Sequence, residues 1–125
     1  MSNVEANFFA EKLKEYLREL EKSNVDGVVA LFSADAKIYS PLLGWVSPLP
    51  FCSKLADASG NSTITLLDIF QSTEGNRTAS AFFRYDWVLR DGGKVSFECV
   101  DVFDFNDAGL IEKLTIIYDT HRIRG

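Results

Sequence analysis

The 125-residue chain holds one histidine, two cysteines, three prolines and fewer basic than acidic residues, and each scarcity narrows what it can be. Cys52 and Cys99 have no metal-ligand spacing, and a single histidine does not complete a zinc set, so no metal site is expected. Thirteen Lys and Arg against 18 Asp and Glu leave a net charge of −5 and a pI near 4.8. Without a basic face nothing attracts a phosphate backbone, and no nucleic-acid partner is expected. No apolar run approaches the ~20 residues of a membrane span, so no membrane partner is expected either. The opening MSNVEANFF lacks the basic and apolar segments of a secretory signal. The expected setting is therefore the reduced cytoplasm. All three prolines fall within residues 41–50, which reads as an irregular segment.

What is present is apolar and aromatic. The chain is 46% hydrophobic and 25% charged, a globular composition, and its length suits one domain over residues 1–125. Ten Phe, four Tyr and two Trp suit a wide apolar cavity as well as a core. Phe9, Leu13, Tyr16, Leu17 and Leu20 recur at helical spacing, with charged residues on the remaining surface. Tyr16 belongs to the buried stripe, so its hydroxyl needs a partner inside. Ser23 or Asn24 can cap a second, shorter helix over 25–32. Alternation in AKIYS predicts a strand over 36–40, ending at Ser40 before Pro41. A short helix is expected at about 49–58. Strand patterns follow over 62–72, 80–90, the run through 97–105, and 110–119, with turns at DGG, 91–93, and NDAG, 106–109. Helices first and a strand meander afterwards predict an α+β fold, a curved antiparallel sheet with helices closing its concave side.

The run FECVDVFDF, residues 97–105, carries the chemistry. In a strand Phe97, Cys99, Asp101, Phe103 and Phe105 share one side. Asp101 thus sits in an aromatic, otherwise uncharged row, where a lone charge is very costly. Either a neighbouring strand or water satisfies it, or it is a functional acid whose pKa is raised by desolvation.

Residues 16–44, YLRELEKSNVDGVVALFSADAKIYSPLLG, and 100–114, VDVFDFNDAGLIEKL, resemble the ketosteroid isomerase/SnoaL-like branch of the NTF2-like superfamily. The resemblance implies an NTF2-like, cystatin-like cone, a curved mixed-to-antiparallel sheet wrapped around N-terminal helices. It implies a pocket for a small hydrophobic molecule, a homodimer and no cofactor. In ketosteroid isomerases a helix-1 tyrosine and a neutral aspartic acid on a late strand form an oxyanion hole, and a second aspartate before a proline moves the proton. Tyr16 and Asp101 match the first two positions; the third is Ser40, not aspartate. A serine hydroxyl cannot replace a carboxylate base, which typically contributes ~10²–10⁴-fold.

Three explanations stay open at that position. Asp119 or His121 can serve as the base, although strict alternation turns Asp119 away from Leu114, Ile116 and Tyr118. The chemistry can instead be a cyclisation whose substrate supplies its own acidic proton, or an epoxide opening with a different acid and base. Or the protein binds a phenolic or carbonyl ligand without turning it over.

The remaining expectations concern walls and surfaces. Phe83, Tyr85 and Trp87 on one strand, with Phe103 and with Leu114, Ile116 and Tyr118 on others, are the expected ligand-binding wall, and Trp45 the expected lid. Arg84 and Asp86 alternate away, an exposed or subunit-facing pair. Val88, Val100 and Val102 give the outer face an apolar row that a homodimer would cover.

Overall fold

The computed structural model describes residues 3–119, with side chains from residue 7 onward. In chain order these residues form α1 (Asn3–Glu21), α2 (Val25–Val29), β1 (Phe32–Ser40), β2 (Gly44–Val46), α3 (Pro48–Ala58), β3 (Thr63–Gln71), β4 (Thr78–Val88), β5 (Lys94–Phe105) and β6 (Ile111–Ile117).

α1 forms on the expected stripe, with Phe9, Leu13, Tyr16 and Leu17 buried. It ends where Ser23 adopts a left-handed φ of 56°. Asn24, rather than Ser23, caps α2 by accepting from the Gly27 amide. α2 is shorter than expected: it stops at Val29, and Phe32 already belongs to β1. Pairing explains the early strand, since Phe32 lies opposite Ile111 of β6 and the Ile111 amide donates to Leu31 O. The proline-rich segment is also less irregular than expected. Gly44, with a φ of 73°, opens β2, which pairs back on the end of β1.

The six strands make one sheet in the order β2-β1-β6-β5-β4-β3. β3 to β6 are the antiparallel meander, whereas β1 lies parallel to β6, so the sheet is mixed. Register breaks in β1, in β3 between Leu66 and Asp68, and at the β5–β6 end bend it. The helices pack on the concave side. At the β3 edge, Glu21 of α1 accepts from the Ile64 amide at 2.7 Å and so occupies one otherwise open edge donor.

Large and small side chains alternate across the concave layer. Ala79 and Ala81 of β4 oppose Phe103 and Asp101 of β5, and Phe83 opposes Cys99. α3 is tied to the far end of β4: the Arg90 amide donates to Ala58 O, the Gly60 amide to Val88 O, and Arg90 Nε to Asp57 O at 2.6 Å. Among the described residues no helix is long and apolar enough to cross a membrane.

Candidate functional site

Between the concave face, α1 and α3 lies a cavity of about 250 Å³, just under the roughly 300–1,000 Å³ usual for drug-sized ligands. Tyr16, Ser40, Cys99 and Asp101 line its buried end, and Phe83, Tyr85, Trp87, Phe51 and Leu55 its walls.

Asp101 is 2% exposed, and its cross-strand neighbours are Ala81 and Ile116, neither of which offers a side-chain donor. Its partner among the described residues is Cys99, two positions back on the same strand face, whose thiol donates to Asp101 Oδ1 at 3.0 Å. Burial pushes the Asp101 carboxyl up to about 7, against the smaller opposing pull of that thiol. The Cys99 thiol is itself pushed far up, by burial first and then by Asp101, so it is a donor and not a nucleophile.

Tyr16 faces this acid from α1. It is 1% exposed and fixed edge-on against Phe103 at 5.0 Å and Phe32 at 6.1 Å. Burial, and then the nearness of Asp101, holds its phenol well above the usual range. No hydrogen bond joins Tyr16 to Asp101 among the described residues, so the phenol keeps its donor for the cavity, and the Asp101 carboxyl donates there when protonated. Ser40, 5% exposed at the end of β1, lines the same space. Asp101 is the one carboxylate among the lining residues.

The aromatic wall is anchored by polar groups. Trp87 Nε1 donates to Ser59 Oγ at 2.8 Å, and Ser59 donates to Leu55 O at 2.6 Å. Burial pushes the Tyr85 phenol up, partly offset by hydrogen bonds with Ser59 and Ser62. Tyr118 lies nearer the mouth, its ring 4.9 Å from Phe97.

Not every expected residue reaches the cavity. Phe103 and Leu114 are fully buried in the core outside it, because both sit one register step deeper, opposite each other on β5 and β6. Trp45 is no lid: it pairs with Tyr39 across β1 and β2, rings 5.2 Å apart, on the convex face and 58% exposed. Leu42 and Leu43 take the place at the mouth. Asp119 lies at a polar surface depression with Arg84, Ser96 and Glu98, away from Asp101. Arg84 and Asp86 form an exposed pair at 3.0 Å, and Ser96 donates to the same carboxylate. His121 lies outside the described residues. Sequence reading passed over Cys99 as a site residue, although its place two before Asp101 was visible, and passed over Phe51, Lys54 and Leu55, whose helix has no pattern that announces a cavity.

Residues 13–114 match the SnoaL-like domain family, and the chain belongs to that family. Of the curated proteins, none matches the chain. Several solved structures share its fold. SalBIII, an epoxide hydrolase/cyclase-like enzyme in pyran ring formation of the polyether salinomycin, is 19% identical with a TM-score of 0.76, over 90% of this chain and 92% of that one. A protein of ketosteroid isomerase-like fold from Catenulispora acidiphila, in complex with trimethylamine, is 10% identical with a TM-score of 0.78, over 90% and 88%. An NTF2-like protein of unknown function from an Exiguobacterium species is 17% identical with a TM-score of 0.74, over 86% and 98%. At these identities the likeness is one of fold, NTF2-like and cystatin-like.

Proposed function

We propose that this chain, as one domain over residues 1–125, binds a small hydrophobic molecule through a single oxygen and acts on it as a carbonyl compound that passes through an enolate. The observation that carries the reading is the pairing of Tyr16 with Asp101 in an apolar cavity, both buried, the phenol with its donor to spare and the carboxyl a donor when protonated. Such a pair stabilises negative charge where it develops, and removing one donor of this kind typically costs ~10²–10³-fold in rate. Tyr16 and Asp101 are the oxyanion donors. Ser40 stands where a base would act and orients the ligand or a water. With no second carboxylate among the described residues of the cavity wall, the proton leaves the substrate for a water held at Ser40, so the substrate must be acidic enough to give it up readily. The same fact favours a second reading, a binding protein that holds a phenolic or enolic oxygen without turnover. Epoxide opening fits less well, since it needs a further acid or base beside Asp101.

Binding of a series of substituted naphthols to wild type, Tyr16→Phe and Asp101→Leu tests the shared core of both readings. Loss of a hydrogen bond to a charged oxygen predicts binding weakened about tenfold or more in each variant. Binding indifferent to both changes overturns it. Ser40→Asp then separates the readings: it raises turnover of an enolisable ketone if the site is an isomerase lacking its base, and leaves a pure binding protein inert.

A further inference from the structure

We infer that the ligand carries a carboxylate at the end remote from the oxygen held on the cavity floor, and that Lys54 selects for it. This rests on the oxygen-binding reading above, because it assigns the ligand's other end. Of the described residues lining the cavity, Lys54 is the one cation; it is exposed, whereas Asp101 marks the buried end. The rim around Lys54 is otherwise apolar, with Leu42 and Leu43 47% and 48% exposed and Ala58 one helical turn along.

Among the described residues Lys54 forms no ion pair, a state it shares with Arg18, Lys22, Lys37, Arg90 and Lys94, and of these six it is the one that lines the cavity. Asp57, three residues on in α3, is not paired with it either. An ammonium at the lip can meet a ligand anion while both stay solvated, so the apolar body is buried without the cost of desolvating a charge pair. Tyr16 and Asp101 at the other end take the ligand's oxygen and offer no cation for a carboxylate to pair with. Donors at the floor and a cation at the exposed end together fix orientation: oxygen inward, carboxylate outward. The chain's net charge of −5 makes this local cation the more selective, since the surrounding field does not attract anions in general.

Calorimetric titration of 2-naphthol and 6-hydroxy-2-naphthoate into the wild-type protein, Lys54→Met and Lys54→Glu tests the inference. Wild type should bind the hydroxynaphthoate about threefold to fivefold more tightly, the scale of one exposed ion pair. That ratio should fall to about one in Lys54→Met, drop below one in Lys54→Glu, and shrink in molar salt. A wild-type ratio at or below one, or a ratio that neither Lys54 variant moves, overturns the role of Lys54 and leaves the oxygen site standing. Failure of both compounds to bind wild type overturns the oxygen site, and this inference with it.

Discussion

Asp101 is flanked across the sheet by an alanine and an isoleucine, with a thiol as its hydrogen-bond donor, and that poverty of partners is what keeps its proton on to about pH 7. The consequence for stability has a definite sign. An unfolded aspartate titrates near ~4, so as pH rises through the interval from there to about 7 the unfolded chain releases a proton that the folded chain retains. Protonation thus stabilises the fold at low pH, and that contribution is lost at about 1.4 kcal/mol per pH unit until the folded group also ionises. Asp101→Asn should abolish this dependence. Urea unfolding of both proteins between pH 4 and 8 should show the variant gaining on wild type as pH rises; parallel curves would contradict it. At this scale the sequence was informative. Alternation put Asp101 in an apolar row and the helical stripe put Tyr16 inside. It did not show that Cys99 would supply the hydrogen bond, because a thiol two positions away can point anywhere along its face until the backbone is fixed.

The elements that shape the cavity were unequally legible. α1 and the four strands of the meander have long, consistent patterns and form close to where periodicity put them, and the short helix α3 also forms near its expected place. The three-residue β2 is too short to alternate, and its pairing with β1 carries Trp45 to the convex face instead of over the mouth. The attachment of α3 was invisible because it joins residues far apart in the chain: besides the Arg90 and Gly60 hydrogen bonds, Ser59 donates to Leu55 O and accepts from Trp87 Nε1 across 28 residues. Ser59→Ala would leave the indole N–H of Trp87 without that acceptor. Loss of a buried hydrogen-bond partner predicts destabilisation of about 1–3 kcal/mol, read as a lowered urea midpoint together with a shift in tryptophan emission. An unchanged midpoint would mean that Ser59 does not fasten the helix to the wall.

At the scale of the whole molecule, the α+β class followed from the order of helices and strands, but the parallel contact of β1 with β6 did not. Alternation says that a strand has two faces and is silent about its neighbour; the mixed sheet came with the family resemblance. The convex face is more apolar than the valine row implied. Phe70 and Ile117 are both 52% exposed, and Phe82, Val100 and Val102 lie half-buried between them on adjoining strands. Val88, by contrast, packs beside Gly60 at the end of β4. A face of this kind is the surface we propose for a homodimer. Sedimentation of wild type should give about twice the 14.0 kDa chain mass, and Ile117→Lys should return it to the monomer. A monomeric wild type would contradict the proposal.

The buried acid facing Tyr16, its carboxyl pushed up to about 7, is the centre on which the functional reading turns, and it can be watched directly. In protein labelled at the aspartate side-chain carboxyl carbons, one resonance, absent from Asp101→Asn, should titrate near 7 by carbon NMR. Its midpoint should move upward when para-nitrophenolate binds, because an oxyanion on the cavity floor favours the proton on Asp101. A full set of carboxyls titrating near ~4, none responding to the phenolate, would contradict the oxyanion site and leave Asp101 a structural acid.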